Sequence, residues 1–245
     1  MTIIKAAFKK LTPGTSLAFR SNVEQIGPIV RFLQKTDPLG KQWFLMGDTE
    51  EESLRYPAFD ALGELTPAAE AVLETEFKGD NIRYFAAWNG ELKQGDGATI
   101  TFQFHDEDWP AWSLEINYQG EGIQRLGGLD GVIELLSMIA GSLQPSIINV
   151  ARYQYFEKQV FQDRPGVGWM LYLPRVLAVQ QVPEARALVP VMITDEKDND
   201  KQIGTIIVSV TDVPFSDENP EHVKIANAIE IRLVDQDLLP PFADH

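Results

Sequence analysis

Apolar residues recur at every second position in two neighbouring stretches. Ile100, Phe102 and Phe104 alternate with Thr99, Thr101 and Gln103, and Trp112, Leu114, Ile116 and Tyr118 alternate with Ser113, Glu115 and Asn117. A period of two is that of a strand with one face on a core and one on solvent, and the short connection 105–110 predicts an antiparallel hairpin. Shorter apolar runs predict strands over 3–8, 42–46, 83–88, 147–150 and 169–173. The near-continuous runs at 188–193 and 203–210 predict central strands covered on both faces, separated by a polar loop at 194–202. Asn89-Gly90 marks a turn at the end of 83–88.

Elsewhere the period lengthens to 3.6. Leu129, Val132, Ile133, Leu136, Ile139, Ala140 and Leu143 form a stripe introduced by Gly127-Gly128 and stopped by Pro145, which predicts a core-facing helix. Val23, Ile26, Ile29, Val30 and Leu33 form another, with Pro28 inside it predicting a kink or a late helix start. Thr66-Pro67 and Asn219-Pro220 read as a cap followed by a first-turn proline. They open helices through Val72, Leu73 and Phe77 and through Ile225, Ala226, Ile229 and Leu233, the second ended by Pro240-Pro241. Strand pairs interrupted by isolated helices do not make a βαβ repeat. The expected fold is α+β, a mixed and largely antiparallel sheet flanked by helices. With no internal repeat or Gly/Ser linker, residues 1–245 are expected to be one domain, with two tightly packed lobes as the alternative.

Composition narrows the function. Thirty-six Asp and Glu against 21 Lys and Arg give a net charge of -15, with a pI near 4.6. That balance disfavours direct binding to a phosphate backbone, and it steers a basic protein toward this surface at low salt. The absence of cysteine excludes disulfides, thiol nucleophiles, thiolate zinc sites and iron–sulfur clusters. Lys5 and Lys9 interrupt the apolar residues at the N-terminus, so no signal-peptide core is read there, and no stretch approaches the ~20 apolar residues of a membrane span. The expectation is a cytoplasmic protein with no membrane partner.

The inventory for catalysis is thin. There is no Gly-x-Ser-x-Gly elbow and no phosphate-binding loop, and Gly95-x-Gly97 and Gly166-x-Gly168 lack the third glycine of a dinucleotide fingerprint. Of three histidines, His245 is terminal and His222 lies in the first turn of the last helix, where it reads as a packed residue. His105, followed by Asp106, Glu107 and Asp108, is the least poor metal or acid–base site, and it carries the alternative reading of a metal-dependent hydrolase. Asp195, Glu196, Asp198 and Asp200 fail the calcium-loop pattern at Gln202 and Ile203. The expectation is a non-enzymatic protein with no cofactor and no metal; a secretion-system adaptor is a third reading.

Two places combine acidic groups with aromatic or arginine anchors, as interfaces with basic proteins do. Asp48, Glu50, Glu51, Glu52, Arg55 and Tyr56 sit among Trp43, Phe44, Pro57 and Phe59. Asp106, Glu107, Asp108 and Trp109 repeat the combination in the hairpin turn. A bland explanation of the first run is the acidic opening turn of a helix, favoured by the helix dipole.

The block Trp43-Phe-Leu-Met-Gly-Asp-Thr-Glu-Glu-Glu-Ser-Leu-Arg-Tyr-Pro-Ala-Phe-Asp60 resembles the signature of a family of bacterial immunity proteins. The segments 172–177 and 225–240 resemble that family too. Its members are similar to the immunity partner of the type VI secretion effector TseT, a DNase toxin with a restriction-endonuclease-like fold. The resemblance implies a protein that binds a cognate nuclease toxin in the cytosol of the producing cell and its siblings. It brings no catalytic residue and no toxin-contact motif with it.

Overall fold

The computed structural model describes residues 1–8, 19–77, 84–105, 111–194 and 199–242. Its strands are β1 (Thr2–Ala7), β2 (Phe44–Leu45), β3 (Tyr84–Trp88), β4 (Ala98–His105), β5 (Ala111–Tyr118), β6 (Ile147–Arg152), β7 (Met170–Leu173), β8 (Ala187–Thr194) and β9 (Asp200–Val208). All nine lie in one sheet, in the order β2-β3-β4-β5-β1-β6-β7-β9-β8. Every pair of adjacent strands is antiparallel. The helices are α1 (Phe19–Thr36), α2 (Glu50–Ser53), α3 (Pro67–Phe77), α4 (Gly128–Leu143) and α5 (Pro220–Asp235). The fold is α+β, as the mixture of periods predicts.

Period-two patterning decides which face of the sheet is dry. Ile4 lies between Ile116 and Val150, and Ala6 between Leu114 and Ile148. These residues and their neighbours Ile100 and Phe102 are buried, and they share one core with the apolar stripes of α1 and α4, which pack on each other. The alternate positions, among them Thr99, Thr101, Glu115, Asn117 and Asn149, remain part-exposed. The β4–β5 hairpin pairs from Ala98–Tyr118 to His105–Ala111, as its alternation predicts.

Two expectations are corrected. The run 188–193 is not a central strand: β8 is the edge of the sheet and only partly buried. Pro190 lies opposite Thr205 and has no N–H to give a ladder, which an edge tolerates, and a register shift follows at Val191/Met192. Its neighbour β9 does behave as a covered strand, with Ile206, Ile207 and Val208 fully buried. The late start of α1 is not seen, because the helix runs through Pro28 without interruption. Burial of Val23, Ile26, Val30 and Leu33 outweighs the one lost hydrogen bond. At Asn89-Gly90 β3 ends, with Gly90 at φ +75°, and residues 89–97 join it to β4. Asn89 is buried there; its side chain donates to the carbonyls of Leu39 and Asp96 and accepts the Ala98 N–H.

The turn after residue 59 is pinned onto α1. At Gly63, with φ +74°, a Cβ would lie 2.4 Å from the carbonyl oxygen of Gly27, so only glycine fits. Gln34 donates to the Asp60 carbonyl nearby.

Candidate interaction surface

β2 is two residues long and ends the sheet on the side of β3. Beyond it the chain leaves the sheet, forms the single turn α2, and returns. The Leu45 N–H donates to the Tyr56 carbonyl at 3.0 Å and the Ala58 N–H to the Trp43 carbonyl at 2.7 Å, closing residues 43–58 into a loop. Its base is anchored by burial: Trp43 is fully buried, with Leu45, Ala58 and Phe59, and Phe59 meets Phe85 edge-on at 5.4 Å. Its tip is anchored by hydrogen bonds. The Ser53 hydroxyl accepts the Gly47 N–H at 2.8 Å and donates to the Thr49 carbonyl at 2.9 Å, while Thr49 caps the helix by accepting from Glu52 N at 3.2 Å. Phe44 and Leu54 close over Gly90, where a Cβ would stand 2.8 Å from the Phe44 ring.

This scaffold displays the residues singled out from the sequence. Asp48, Glu50, Glu51, Glu52, Arg55 and Tyr56 are all exposed and lie on one lip, with the exposed apolar side chains of Met46 and Leu54 between them. Arg55 pairs with Glu51 at 2.7 Å, a surface ion pair of little energetic weight. The lip therefore keeps a negative character. Three acids in the first turn also suit the dipole of α2, so the bland explanation of the run holds alongside its display. Asp106, Glu107, Asp108 and Trp109 lie outside the described residues, so the structure does not place the second acidic turn beside the first.

The chemistry of the remaining candidates is structural where it can be seen. His222 Nδ1 accepts the Ser216 N–H at 3.0 Å, and its ring lies 5.8 Å from Phe215, a packed histidine as its position predicts. Among the described residues no group of His, Asp and Glu is arranged to hold a metal ion. Among them also, no helix is long and apolar enough to cross a membrane.

Among the described residues three carboxylates, Asp37, Asp217 and Glu230, are buried away from the lip. Glu230 is 1% exposed, on the apolar stripe of α5 beside Ala226, Ile229 and Leu233. Its carboxyl receives the Tyr155 hydroxyl at 2.6 Å, the Val160 N–H at 2.8 Å and the Val167 N–H at 2.9 Å, so one side chain organises the whole segment 153–167. Burial pushes the Glu230 carboxyl above its ordinary range, against the pull of those three donors. An acid inside an apolar stripe was the signal available in the sequence. Asp37, fully buried, pairs with Arg125 at 2.8 Å and caps the Leu39 N–H. Burial, and then the Asp37 charge, raise the pKa of the neighbouring Tyr118 phenol.

Fold and site together define an α+β protein that presents an acidic and apolar lip, tied down by hydrogen bonds, at one edge of its sheet, the composition that protein partners meet at interfaces. Residues 20–242 match the model of the family described as Immunity protein 52, and the chain belongs to that family. Immunity proteins act by binding a cognate toxin effector. Among solved structures, a Pseudomonas aeruginosa T6SS protein, PA0821, is similar over 94% of this chain and 75% of its own length, with a TM-score of 0.54 and 14% sequence identity. At that identity the likeness is one of fold. No curated protein sequence gives a significant match.

Proposed function

We propose that this chain neutralises a nuclease effector of a type VI secretion system, a DNase of restriction-endonuclease-like fold, by binding it stoichiometrically in the cytoplasm of the producer and its siblings. The observation that carries the reading is the lip: exposed carboxylates of Asp48, Glu50 and Glu52 around Leu54 and Tyr56, on a loop whose base and tip are both fixed. A nuclease binds DNA with a basic cleft, and carboxylates set into that cleft stand where phosphates would lie. Rigidity matters because a loop already held in its bound shape loses little entropy on docking. Family membership supports the toxin as partner, and the T6SS context comes from the fold neighbour together with the block 43–60.

The test is kinetic. The probe is a candidate nuclease effector of a type VI secretion system, carrying an inactivating substitution. Charge reversal by Glu50→Lys with Glu52→Lys is expected to slow association about tenfold at low salt. The difference should shrink as ionic strength rises to 0.15 M and the screening length falls to about 8 Å. Association rates equal to wild type at every salt concentration would remove the lip from the interface.

A further inference from the structure

In the middle of the same sheet a cavity of about 340 Å³ opens onto the part-exposed face of β1 and β6. Ile3, Ala7, Ile147 and Ala151 line it from the sheet, and Tyr153, Phe156 and Phe242 line it from above. Those three aromatic side chains are 65%, 55% and 50% exposed, an uncommon cost to leave standing in water around one opening.

The segment carrying Tyr153 and Phe156 is held firmly in that costly arrangement. Glu230 holds its backbone at Val160 and Val167. Asn149, from the floor of the cavity, donates to the Gly166 carbonyl, and Asn227 donates to that of Lys158 at 3.0 Å. Phe242 is placed by its own N–H, which donates to the Asp163 carbonyl at 2.8 Å. An apolar opening kept rigid in solvent has the form of a preorganised anchor pocket, the kind that receives a buried side chain at the centre of a protein interface.

Interface size says which partner reaches it. A stable complex covers about 800 Å² per partner, a footprint about 30 Å across with some 20–30 residues a side. The lip, residues 46–56, supplies only about half of the smaller figure. From β2 to β6 is five strand spacings, about 24 Å. One unbroken row of cross-strand neighbours spans it: Ala86, whose carbonyl accepts the Met46 N–H, then Thr101, Glu115, Lys5 and Asn149. Lys5 and Glu115 form an ion pair at 2.8 Å that leaves this row near neutral and keeps half of the lysine side chain in solvent.

We propose that the aromatic-rimmed cavity is the second anchor for the effector that the lip binds, and that it takes an apolar side chain, aliphatic or aromatic, from a toxin segment lying across the open sheet face. The inference rests on the proposed function and adds a division of labour. The acidic lip sets how fast the toxin arrives, and the cavity sets how long it stays.

The experiment measures both rate constants with the inactivated effector on immobilised wild-type chain, on the lip variant, and on a Tyr153→Ala, Phe156→Ala double variant. Both rim side chains are more than half exposed, so the double variant is expected to keep the wild-type thermal melt. It should release the effector about 30-fold faster with association little changed. Backbone amides of 153–160 should gain protection from hydrogen exchange in the wild-type complex. A double variant within twofold of wild type, or amides 153–160 unprotected in the complex, overturns the second anchor while leaving the lip intact. A small molecule found in the cavity by native mass spectrometry, with effector binding unaffected by the rim variant, overturns it in favour of a ligand pocket. Failure of the wild-type chain to bind the effector overturns this inference and the proposed function together.

Discussion

Replacing Trp43 with alanine is expected to destabilise the protein by about 3–5 kcal/mol and to lower its melting temperature by about 10 °C. Trp43 is the largest of the fully buried side chains, and it supports the closing contacts of the lip: its carbonyl receives the Ala58 N–H, and its strand neighbour Leu45 donates to Tyr56. Deleting the indole leaves a cavity under a two-residue strand that has little other hold on the sheet. Trp43→Phe should cost far less, because the indole N–H has no hydrogen-bond partner among the described residues, and the swap removes an unsatisfied donor along with some packing. Thermal melts of the two variants check both statements. Similar losses in both would show that the indole N–H is bonded after all.

The second large effect is expected at Glu230. Alanine there strands the Val160 and Val167 N–H groups, each orphan costing roughly 1–3 kcal/mol, and leaves the Tyr155 hydroxyl only its longer bond to Asn227 at 3.0 Å. Relief from burying the carboxyl offsets part of this, leaving a loss of about 3 kcal/mol. The pH dependence has a definite sign. Because the folded-state pKa is raised, the folded protein holds the Glu230 proton more tightly than the unfolded chain does. The stability this group contributes is complete below the ordinary carboxyl value of about 4.3 and is lost as pH rises through the raised one. Glu230→Gln has no such titration. The stability advantage of wild type over Glu230→Gln should therefore be larger at pH 5 than at pH 8, as read by denaturant unfolding at the two pH values. An advantage that grows with pH would contradict the raised pKa.

Much of the fold could be read from periodicity, because burial on one face of a strand or helix writes itself into the sequence. The 99–118 alternation gave the hairpin, and the stripes at 23–33, 129–143 and 225–233 gave three helices. What failed was strand position: an apolar run such as 188–193 looks the same at a sheet's edge as at its centre, and Pro190 was the one residue that distinguished them. Of the two readings of Pro28, the late helix start failed, since tertiary burial overrode a local penalty.

The site divides in a similar way. Charge and aromatic density pointed to residues 48–56, but the sequence could not separate display from support. In the structure Trp43, Ser53, Ala58 and Phe59 support, and Asp48, Glu50, Glu52, Leu54 and Tyr56 are displayed. The aromatic rim at Tyr153, Phe156 and Phe242 was not legible, because 153–167 has no period and its shape depends on a carboxylate more than sixty residues away.

Neutralisation is measured most directly by the growth of bacteria expressing the active candidate nuclease effector, with and without the chain. Wild type is expected to restore growth, and the charge-reversed lip variant, folded and equally abundant, to restore it poorly. Continued growth arrest in the presence of abundant, folded wild-type chain would show that this protein does not neutralise the effector.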